Sequence, residues 1–310
     1  MEILLAILGV GVLAAFAGGG GSGGASAPEP EPTDEGGSGA DDLTGTPFDD
    51  VIFGRGGNDT ITGDIGNDYL DGNADNDEVY GDVGNDTVLG GAGDDTLGGG
   101  TGNDFLRGGD GFDELRGGAG NDSLEGASNG DFLEGDGGND TRKGGPGADY
   151  LTGNLGEDSL EGGPGDDTLI GIDGDYTSVP TTDGDDADIL EGWAGEDFIV
   201  MGAGDEAWGE FATTNADNVK DTFVSGIWAS GDPPVVHDYN DAVDDLVIYY
   251  DPAVIGPTVT VSLAETAPSS GVYTVSLNGD VLMIVEPIAG SPAPMESDIL
   301  LMTPVVGPTV

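Results

Sequence analysis

The sequence predicts an all-β protein, with a parallel β-solenoid over residues 45–204 and a small β capping domain over residues 205–310. The first observation is a strict period: glycine falls on every ninth residue from Gly45, and aspartate follows each glycine five positions later. Fourteen such nonapeptides fill residues 45–170 without interruption. The second is that position 8 is Ile, Leu or Val in thirteen of the fourteen repeats. The third is that strand patterns replace the glycine period after about residue 205. A fixed short period is typical of solenoids.

The positions of the nonapeptide have separate physical roles. Glycine at positions 1 and 4 predicts positive φ, which allows tight turns that present carbonyl oxygens. Position 4 is glycine in eleven repeats, and two of its exceptions, Asp75 and Asn129, are residue types that tolerate this conformation. Positions 7 to 9 are expected to form a short strand, with position 8 pointing inward.

The aspartate at position 6 gives every repeat a hard anionic oxygen, and G-G-x-G-x-D-x-U-x, with U a large apolar residue, is a calcium-binding β-roll pattern. Stacked coils repeat at about 4.8 Å. Two carboxylates at that distance repel by about 3.5 kcal/mol at an effective dielectric constant of about 20. We therefore expect the roll to be disordered without Ca²⁺ and to fold when it binds several ions.

The repeats resemble those of the RTX (repeats-in-toxin) family, also called haemolysin-type calcium-binding repeat proteins. The resemblance implies a right-handed parallel β-roll with two nonapeptides per coil, in which each turn binds Ca²⁺ together with the turn eighteen residues later and glycine carbonyls complete the shell. It implies one row of metal ligands at Asp50, Asp68, Asp86, Asp104, Asp122, Asp140 and Asp158. The opposite row is Asp59, Asp77, Asp95, Asp113, Asp131, Asp149 and Asp167, and later units add Asp188 and Asp197.

One repeat departs from the pattern. Position 8 of that repeat is Arg142, which is followed by Lys143. We expect the neighbouring calcium site at Asp140 to be weak or empty.

The net charge limits the partners of the chain. The sequence has 61 acidic and 6 basic residues, for a formal charge of −55. Nucleic acids and anionic membrane surfaces are therefore excluded as expected partners, because they are negative too. There is no cysteine and only one histidine, which excludes disulfides, thiolate catalysis and metal sites with several histidines.

The N-terminal segments predict attachment or export. Residues 3–17 are continuously apolar, which is short for a membrane span and suits the core of a signal peptide. Residues 1–17 are interpreted either as a cleaved signal or as a retained anchor that tethers the protein to the cell envelope. Residues 18–44, rich in Gly, Ser, Pro and acids, are predicted to be a flexible linker.

The sequence after the regular repeats predicts further β structure. An insertion over residues 171–182 precedes two more repeat-like units over 183–200. Strands are then predicted at Asp221–Trp228, Pro234–Asp238, Asp245–Tyr250, Thr258–Leu263, Val272–Leu277, Val281–Glu286 and Asp298–Met302. Asn278-Gly279 between two of these predicts a two-residue hairpin. The stretch DTFVSGIW…VVHDYNDAVDDL is similar to the segment that often follows rolls of this family.

The preferred interpretation is a non-enzymatic, extracellular calcium-binding protein. The chain has no H-E-x-x-H or G-x-S-x-G motif, and His237 is predicted to be a strand residue rather than a catalytic base. Trp193, Trp208 and Trp228 are predicted to pack in the core and the cap. One alternative is an adhesin or matrix protein whose residues 205–310 bind a polysaccharide or protein partner that the sequence does not identify. Another is an enzyme with an unrecognised carboxylate pair in the same segment.

Overall fold

The computed structural model describes residues 34–172, 187–209, 220–226, 233–239, 244–249, 261–265, 272–277, 280–287, 294 and 299–302. Within these residues the chain forms 26 strands, numbered β1 to β26 in chain order, and they lie in two sheets. The predicted all-β fold with a parallel β-solenoid is confirmed.

The first sheet has fourteen strands. In spatial order they are β1 (Asp34–Glu35), β3 (Val51–Phe53), β5 (Tyr69–Ala74), β7 (Thr87–Ala92), β9 (Phe105–Asp110), β11 (Ser123–Ser128), β13 (Thr141–Lys143), β15 (Ser159–Pro164), β17 (Ile189–Ala194), β19 (Glu206–Trp208), β21 (Val235–Tyr239), β25 (Asp280–Pro287), β24 (Tyr273–Leu277) and β23 (Val261–Glu265).

The second sheet has twelve strands. In spatial order they are β2 (Asp42–Thr44), β4 (Thr60–Thr62), β6 (Glu78–Val83), β8 (Thr96–Thr101), β10 (Glu114–Ala119), β12 (Phe132–Gly137), β14 (Tyr150–Thr152), β16 (Thr168–Ile170), β18 (Phe198–Val200), β20 (Thr222–Gly226), β22 (Asp245–Tyr249) and β26 (Ile299–Met302).

Two nonapeptides make one coil. Successive strands from β1 to β22 alternate between the sheets, and each strand of the regular repeats pairs in parallel with the strand two positions later. Paired residues are eighteen apart in sequence, as Leu115 and Leu133 show in the second sheet. This register places equivalent repeat positions directly above one another, so any residue type that recurs with the period forms a continuous row.

The position 8 residues form one such row on each sheet, and these two rows fill the interior of the roll. The thirteen aliphatic residues at position 8 are at most 1% exposed and pack in a single hydrophobic cluster. Burying an aliphatic side chain of this size contributes about 1.5–3 kcal/mol. The same cluster continues through Leu190 and Ile199, which belong to the two units after the insertion.

The roll begins before the predicted boundary. Strand β2 pairs with β4, its Leu43 packs against the core, and the amide of Gly36 donates to the carbonyl of Phe53. Residues 36–44 read GGSGADDLT and fit the nonapeptide pattern in full. The linker predicted over residues 18–44 is therefore shorter, because its last nine residues form a repeat of the roll.

The insertion leaves the stacking undisturbed. Ser159 pairs with Ile189 in the first sheet, and Thr168 pairs with Phe198 in the second, so paired residues here are thirty apart instead of eighteen. The additional length equals that of the predicted insertion over residues 171–182, most of which lies outside the described residues. The two units predicted over 183–200 form rungs of the roll.

The strands after residue 205 extend the roll before they cap it. Strands β19, β20, β21, β22 and β26 continue the two sheets in parallel, and β25 pairs in parallel with β21. Only β23, β24 and β25 are joined by antiparallel pairing. All seven predicted strands are present with shifted ends, and Leu277 lies opposite Asp280, as expected for strands that flank a two-residue hairpin.

Glycine at position 1 has a different role from the predicted one. Positive φ occurs at positions 2 and 4 of the repeat, for example at Gly91 (φ 117°) and Gly93 (φ 145°), and Asp75 and Asn129 adopt it as expected. Position 1 has no positive φ in the regular repeats. A Cβ there would collide instead: at Gly99 it would lie 2.5 Å from Oδ2 of Asp104 and 2.7 Å from the carbonyl oxygen of Gly117.

No helix within the described residues is long and apolar enough to cross a membrane. The signal or anchor predicted over residues 1–17 lies outside the described part of the chain.

We expect Gly99→Ala to lower the free energy of unfolding by about 1–3 kcal/mol, because the added methyl group overpacks against backbone and carboxylate atoms. Gly137→Ala is the matched control, because a Cβ there meets nothing within 4 Å and the backbone does not have positive φ. Urea unfolding in calcium-containing buffer, followed by circular dichroism, measures both changes. Equal stability of the two variants would contradict this account of position 1.

Candidate metal centre

The aspartates at position 6 form two buried rows, one at each line of turns. All sixteen predicted site aspartates are buried, with between 1% and 6% of their surface exposed. Asp188 continues the first row and Asp197 the second, because each follows its predecessor in the same hydrogen-bond pattern across the insertion. Burial of so many carboxylates requires compensating partners.

Hydrogen bonds hold each aspartate in its row. The amide of Asp86 donates to Oδ1 of Asp104 at 2.8 Å, and the amide of Phe105 donates to the main-chain carbonyl of Asp86 at 2.8 Å. The first contact recurs between successive aspartates from Asp50 to Asp158 and from Asp59 to Asp167. The main-chain amide, the carbonyl and one carboxylate oxygen of these residues are therefore satisfied within the roll.

The second carboxylate oxygen, Oδ2, accepts no hydrogen bond in most of these aspartates. Among the described residues, Oδ2 is buried without a hydrogen-bond partner in Asp59, Asp68, Asp77, Asp86, Asp95, Asp104, Asp113, Asp122, Asp131, Asp149 and Asp167. A buried, unpaired carboxylate oxygen carries a large desolvation penalty, so a repeated one indicates a missing cationic partner.

A main-chain oxygen accompanies this carboxylate oxygen. A Cβ at Gly63 would lie 2.4 Å from Oδ2 of Asp68 and 2.8 Å from the carbonyl oxygen of Gly81, which is the position 1 glycine of the next coil. The same pairing of oxygens recurs at Gly99, Gly117 and Gly126. Within the described residues no three His, Cys, Asp or Glu side chains converge. The donor set at each turn is thus one carboxylate oxygen with carbonyl oxygens, which fits a hard cation such as Ca²⁺.

Burial raises the pKa of most of these carboxyl groups above the ordinary value of 3.8. The pKa of Asp68, Asp77, Asp104 and Asp131 is raised to about 7, chiefly by desolvation, although the amide that donates to each carboxylate lowers it. Neighbouring carboxylates of the same row raise it further. The pKa of Asp167 reaches about 8. In the roll without metal, part of these carboxyl groups is therefore protonated near neutral pH.

The aspartate rows extend beyond the predicted site residues. The amide of Asp41 donates to Oδ1 of Asp59, which adds a member before the second row. Asp205 follows Asp188 in the first row, and Asp221 and Asp244 follow Asp197 in the second. The spacing of these late members is irregular, so the nine-residue period does not find them. They share another signal, an aspartate two residues before a buried core residue, as in Asp221 and Phe223.

Near the ends of the first row, protein groups donate hydrogen bonds to the second carboxylate oxygen. Oδ2 of Asp50 accepts hydrogen bonds from the amide and the hydroxyl of Thr46, at 2.5 and 2.9 Å. Oδ2 of Asp205 accepts one from the amide of Gly202 at 2.6 Å. These two turns differ from the interior turns, because their second carboxylate oxygen has a neutral partner.

The remaining residues singled out from the sequence lie apart from the rows. His237 is in a strand as predicted, and its ring stacks on Trp208 with centroids 4.3 Å apart and planes at 13°. Trp193 sits at position 2 with φ of 81° and is 37% exposed, so its predicted core packing is wrong. Trp228 lies outside the described residues.

Comparison with known protein families agrees with this geometry. The family model for the RTX calcium-binding nonapeptide repeat matches residues 35–70, 62–97, 71–106, 98–133, 107–141, 143–177 and 182–205. Together these stretches cover more than half of the chain. None of the curated proteins compared with the chain matches it.

We expect the metal-free protein to gain β structure when the pH falls from 8 to 4. The folded-state pKa values of about 6 to 8 exceed the ordinary value of 3.8, so the roll takes up protons more readily than the unfolded chain. Their stabilising effect is complete below about pH 4 and is lost as the pH rises through the folded-state values. Far-UV circular dichroism in a calcium chelator measures this change.

Two controls accompany the pH titration. Analytical ultracentrifugation separates folding from aggregation, because the isoelectric point of about 4.1 lies near the end of the titration. Saturating Ca²⁺ should reverse the trend, since the ion binds the deprotonated carboxylates and protons compete with it. Metal-free β structure that rises with pH would contradict the pKa values of the rows.

Proposed function

Because the chain belongs to the RTX calcium-binding nonapeptide repeat family, we propose that it is an exported, non-enzymatic protein whose roll folds on binding multiple Ca²⁺ ions outside the cell. The aspartates of the two rows are the carboxylate ligands, with position 1 glycine carbonyls beside them. The roll is calcium-dependent because each interior turn brings together a carboxylate oxygen of one coil and a carbonyl oxygen of the next.

The observation that carries the proposal is the repeated Oδ2 atom without a partner. Oδ1 accepts an amide hydrogen bond from the preceding coil, so the carboxylate cannot turn Oδ2 toward solvent without losing that bond. Ca²⁺ accepts six to eight oxygen ligands in flexible geometry, whereas Mg²⁺ demands near-ideal octahedral geometry. Carboxylate and carbonyl oxygens whose positions are fixed by the stacking of coils suit the more adaptable ion.

Export follows from the calcium requirement and from the family. RTX repeat proteins are typically secreted. Extracellular modules bind Ca²⁺ at about 10⁻⁴–10⁻³ M, a range that keeps such sites empty inside the cell and filled outside it. A chain that stays unfolded until export avoids premature folding in the cytoplasm.

The non-enzymatic role is supported by the chemistry of the described residues. The buried carboxylates are used in two structural rows, and His237 stacks on an aromatic ring with its Nε2 3.6 Å from the Glu206 carboxylate. A general base needs an oriented partner and a cleft for the substrate. The repeats supply a scaffold with regular turns, and the proposal assigns no reaction to it.

We expect a calcium titration of the full chain to produce a cooperative change from coil to β structure. The physical reason is that Ca²⁺ replaces repulsion between stacked carboxylates by coordination in every interior turn. Far-UV circular dichroism measures the transition, and Mg²⁺ at the same concentrations is the control. Full β structure in a chelator at pH 8, unchanged by Ca²⁺, would refute the proposal.

We expect Asp104→Asn to bind one Ca²⁺ ion fewer per chain than the wild type and to need a higher calcium concentration for folding. The amide oxygen can still accept the hydrogen bond from Asp86, but the negative charge on Oδ2 is lost. Native mass spectrometry counts the ions. Asp94→Asn is the matched control, because Asp94 is exposed, loses the same charge and keeps its acceptor for the amide of Phe112. Equal ion counts in the two variants would contradict the assignment of Asp104 as a ligand.

A further inference from the structure

The turn between Asp140 and Asp158 has a cation of its own. Arg142 is the one exception to the aliphatic residues at position 8, and its side chain is completely buried in the roll. Its charged neighbour Lys143 is exposed and pairs with Glu161 at the surface. The two basic residues of this repeat therefore have different environments, and only Arg142 reaches the row of aspartates.

The Arg142 guanidinium contacts acidic groups of two successive coils. Its Nη2 lies 3.3 Å from Oδ2 of Asp140 and 2.9 Å from Oδ1 of Asp158. Its Nη1 donates to the carbonyl oxygens of Gly153, at 3.0 Å, and of Thr152. A planar guanidinium with several donors can satisfy carboxylate and carbonyl oxygens together, which a single aliphatic side chain cannot do.

These contacts involve the two oxygens that lie together in the other turns, namely Oδ2 of the aspartate and a glycine carbonyl oxygen of the next coil. In a regular turn, a Cβ on the position 1 glycine meets Oδ2 of the aspartate of that repeat and the carbonyl oxygen of the position 1 glycine in the next coil. The equivalent oxygens here are Oδ2 of Asp140 and the carbonyl oxygen of Gly153, and Arg142 contacts both. A Cβ on Gly135 would lie 2.1 Å from Oδ2 of Asp140 and 2.5 Å from Nη2 of Arg142, so the guanidinium and the carboxylate both lie against the backbone of this position 1 glycine.

We propose that the Arg142 guanidinium is the resident cation of the Asp140–Asp158 turn and takes the place that Ca²⁺ fills in the other interior turns. The inference rests on the proposed function, since it concerns which turns of the same rows take the ion. The sequence predicted a weak or empty calcium site at Asp140. According to this proposal, the turn takes no calcium because the guanidinium already occupies it. Calcium and the guanidinium exclude each other here, because both need the same oxygens and two cations at this distance repel.

Arginine at position 8, where the other repeats have an aliphatic residue, has a consequence for the first row. The Arg142 guanidinium is joined covalently to the coil, so this turn has a cationic partner without an ion from solution. Contacts with two carboxylates and two carbonyl groups compensate part of the cost of burying the guanidinium, whose Nε has no hydrogen-bond partner among the described residues. The turns before Asp140 and those after Asp158 bind calcium, and the turn between them depends on the protein alone.

The first test compares two asparagine variants by native mass spectrometry at saturating calcium. Asp140→Asn should retain the wild-type number of bound Ca²⁺ ions, because its Oδ2 faces Arg142 rather than an ion. Asp104→Asn should lose one ion. Both substitutions keep an oxygen that can accept the amide hydrogen bond from the preceding aspartate, so both preserve the stacking. Loss of one ion in Asp140→Asn would overturn the proposal.

The second test removes the guanidinium. Arg142→Leu restores the residue type of the other repeats, and it should bind one Ca²⁺ ion more than the wild type and fold at higher calcium concentration. Lys143→Leu is the matched control, because it removes the adjacent exposed charge and should leave the number of ions unchanged. Arg142→Leu that folds with no additional ion would overturn the proposal. If Arg142→Leu fails to fold, the asparagine pair decides.

Different results would refute the proposed function and the role of Arg142. A wild-type chain that binds no calcium would refute the proposed function, and the inference would fall with it. A wild-type chain that binds calcium, with Asp140→Asn one ion short, would leave the proposed function in place and refute only the role of Arg142.

Discussion

Two rows of carboxylates, buried at the spacing of stacked coils, govern the rest of this structure. Neighbouring members lie about 4.8 Å apart, where two full charges repel by about 3.5 kcal/mol at an effective dielectric constant of about 20. The coils cannot move apart to relieve this repulsion, because the amide of each aspartate is bonded to the carboxylate of the next. The fold therefore gathers negative charge and fixes it in place. Protons or cations must compensate, and the raised pKa values of the metal-free roll express the same constraint.

The glycines and the core residues of the repeat follow from this arrangement. The carboxylate of Asp104 lies against the backbone of Gly99, where a Cβ has no room, so aspartate at position 6 requires glycine at position 1. Positions 2 and 4 turn the chain with positive φ so that the next strand begins in the opposite sheet. Position 8 then points inward and continues the hydrophobic cluster. The glycine, aspartate and core positions are thus coupled through these contacts, which accounts for the strict period of the repeats.

The departures from the period show which part of the repeat the fold requires. Asp205, Asp221 and Asp244 continue the rows at irregular spacing, and the insertion after Ile170 adds chain without shifting the register. In each case an aspartate and a buried residue two positions later enter the coil. The chain between one such pair and the next varies in length. Arg142 is a different departure, because it changes the core residue and keeps the coil. Its charge is tolerated in the interior only because carboxylates and carbonyl groups of two coils surround it.

The resemblance to the RTX family implied the two-repeat coil and the division of the aspartates into two rows. The sequence by itself determined the solenoid, the buried position 8 and the recurring aspartate at position 6. These follow from a local period, which needs no knowledge of distant contacts. It also located the seven late strands, because the hydrophobic pattern of a strand is local too. The tertiary structure decided what depends on the next coil. The repeat over residues 36–44 fits the local pattern and could have been found in the sequence. The late members Asp205 and Asp221 and the extension of both sheets beyond residue 205 are visible only through their pairing partners. The collision of a position 1 Cβ with the aspartate carboxylate is local to one repeat, as between Gly99 and Asp104. Its contact with the glycine carbonyl of the next coil and the position of the Arg142 guanidinium arise between coils, because these atoms become adjacent only after stacking.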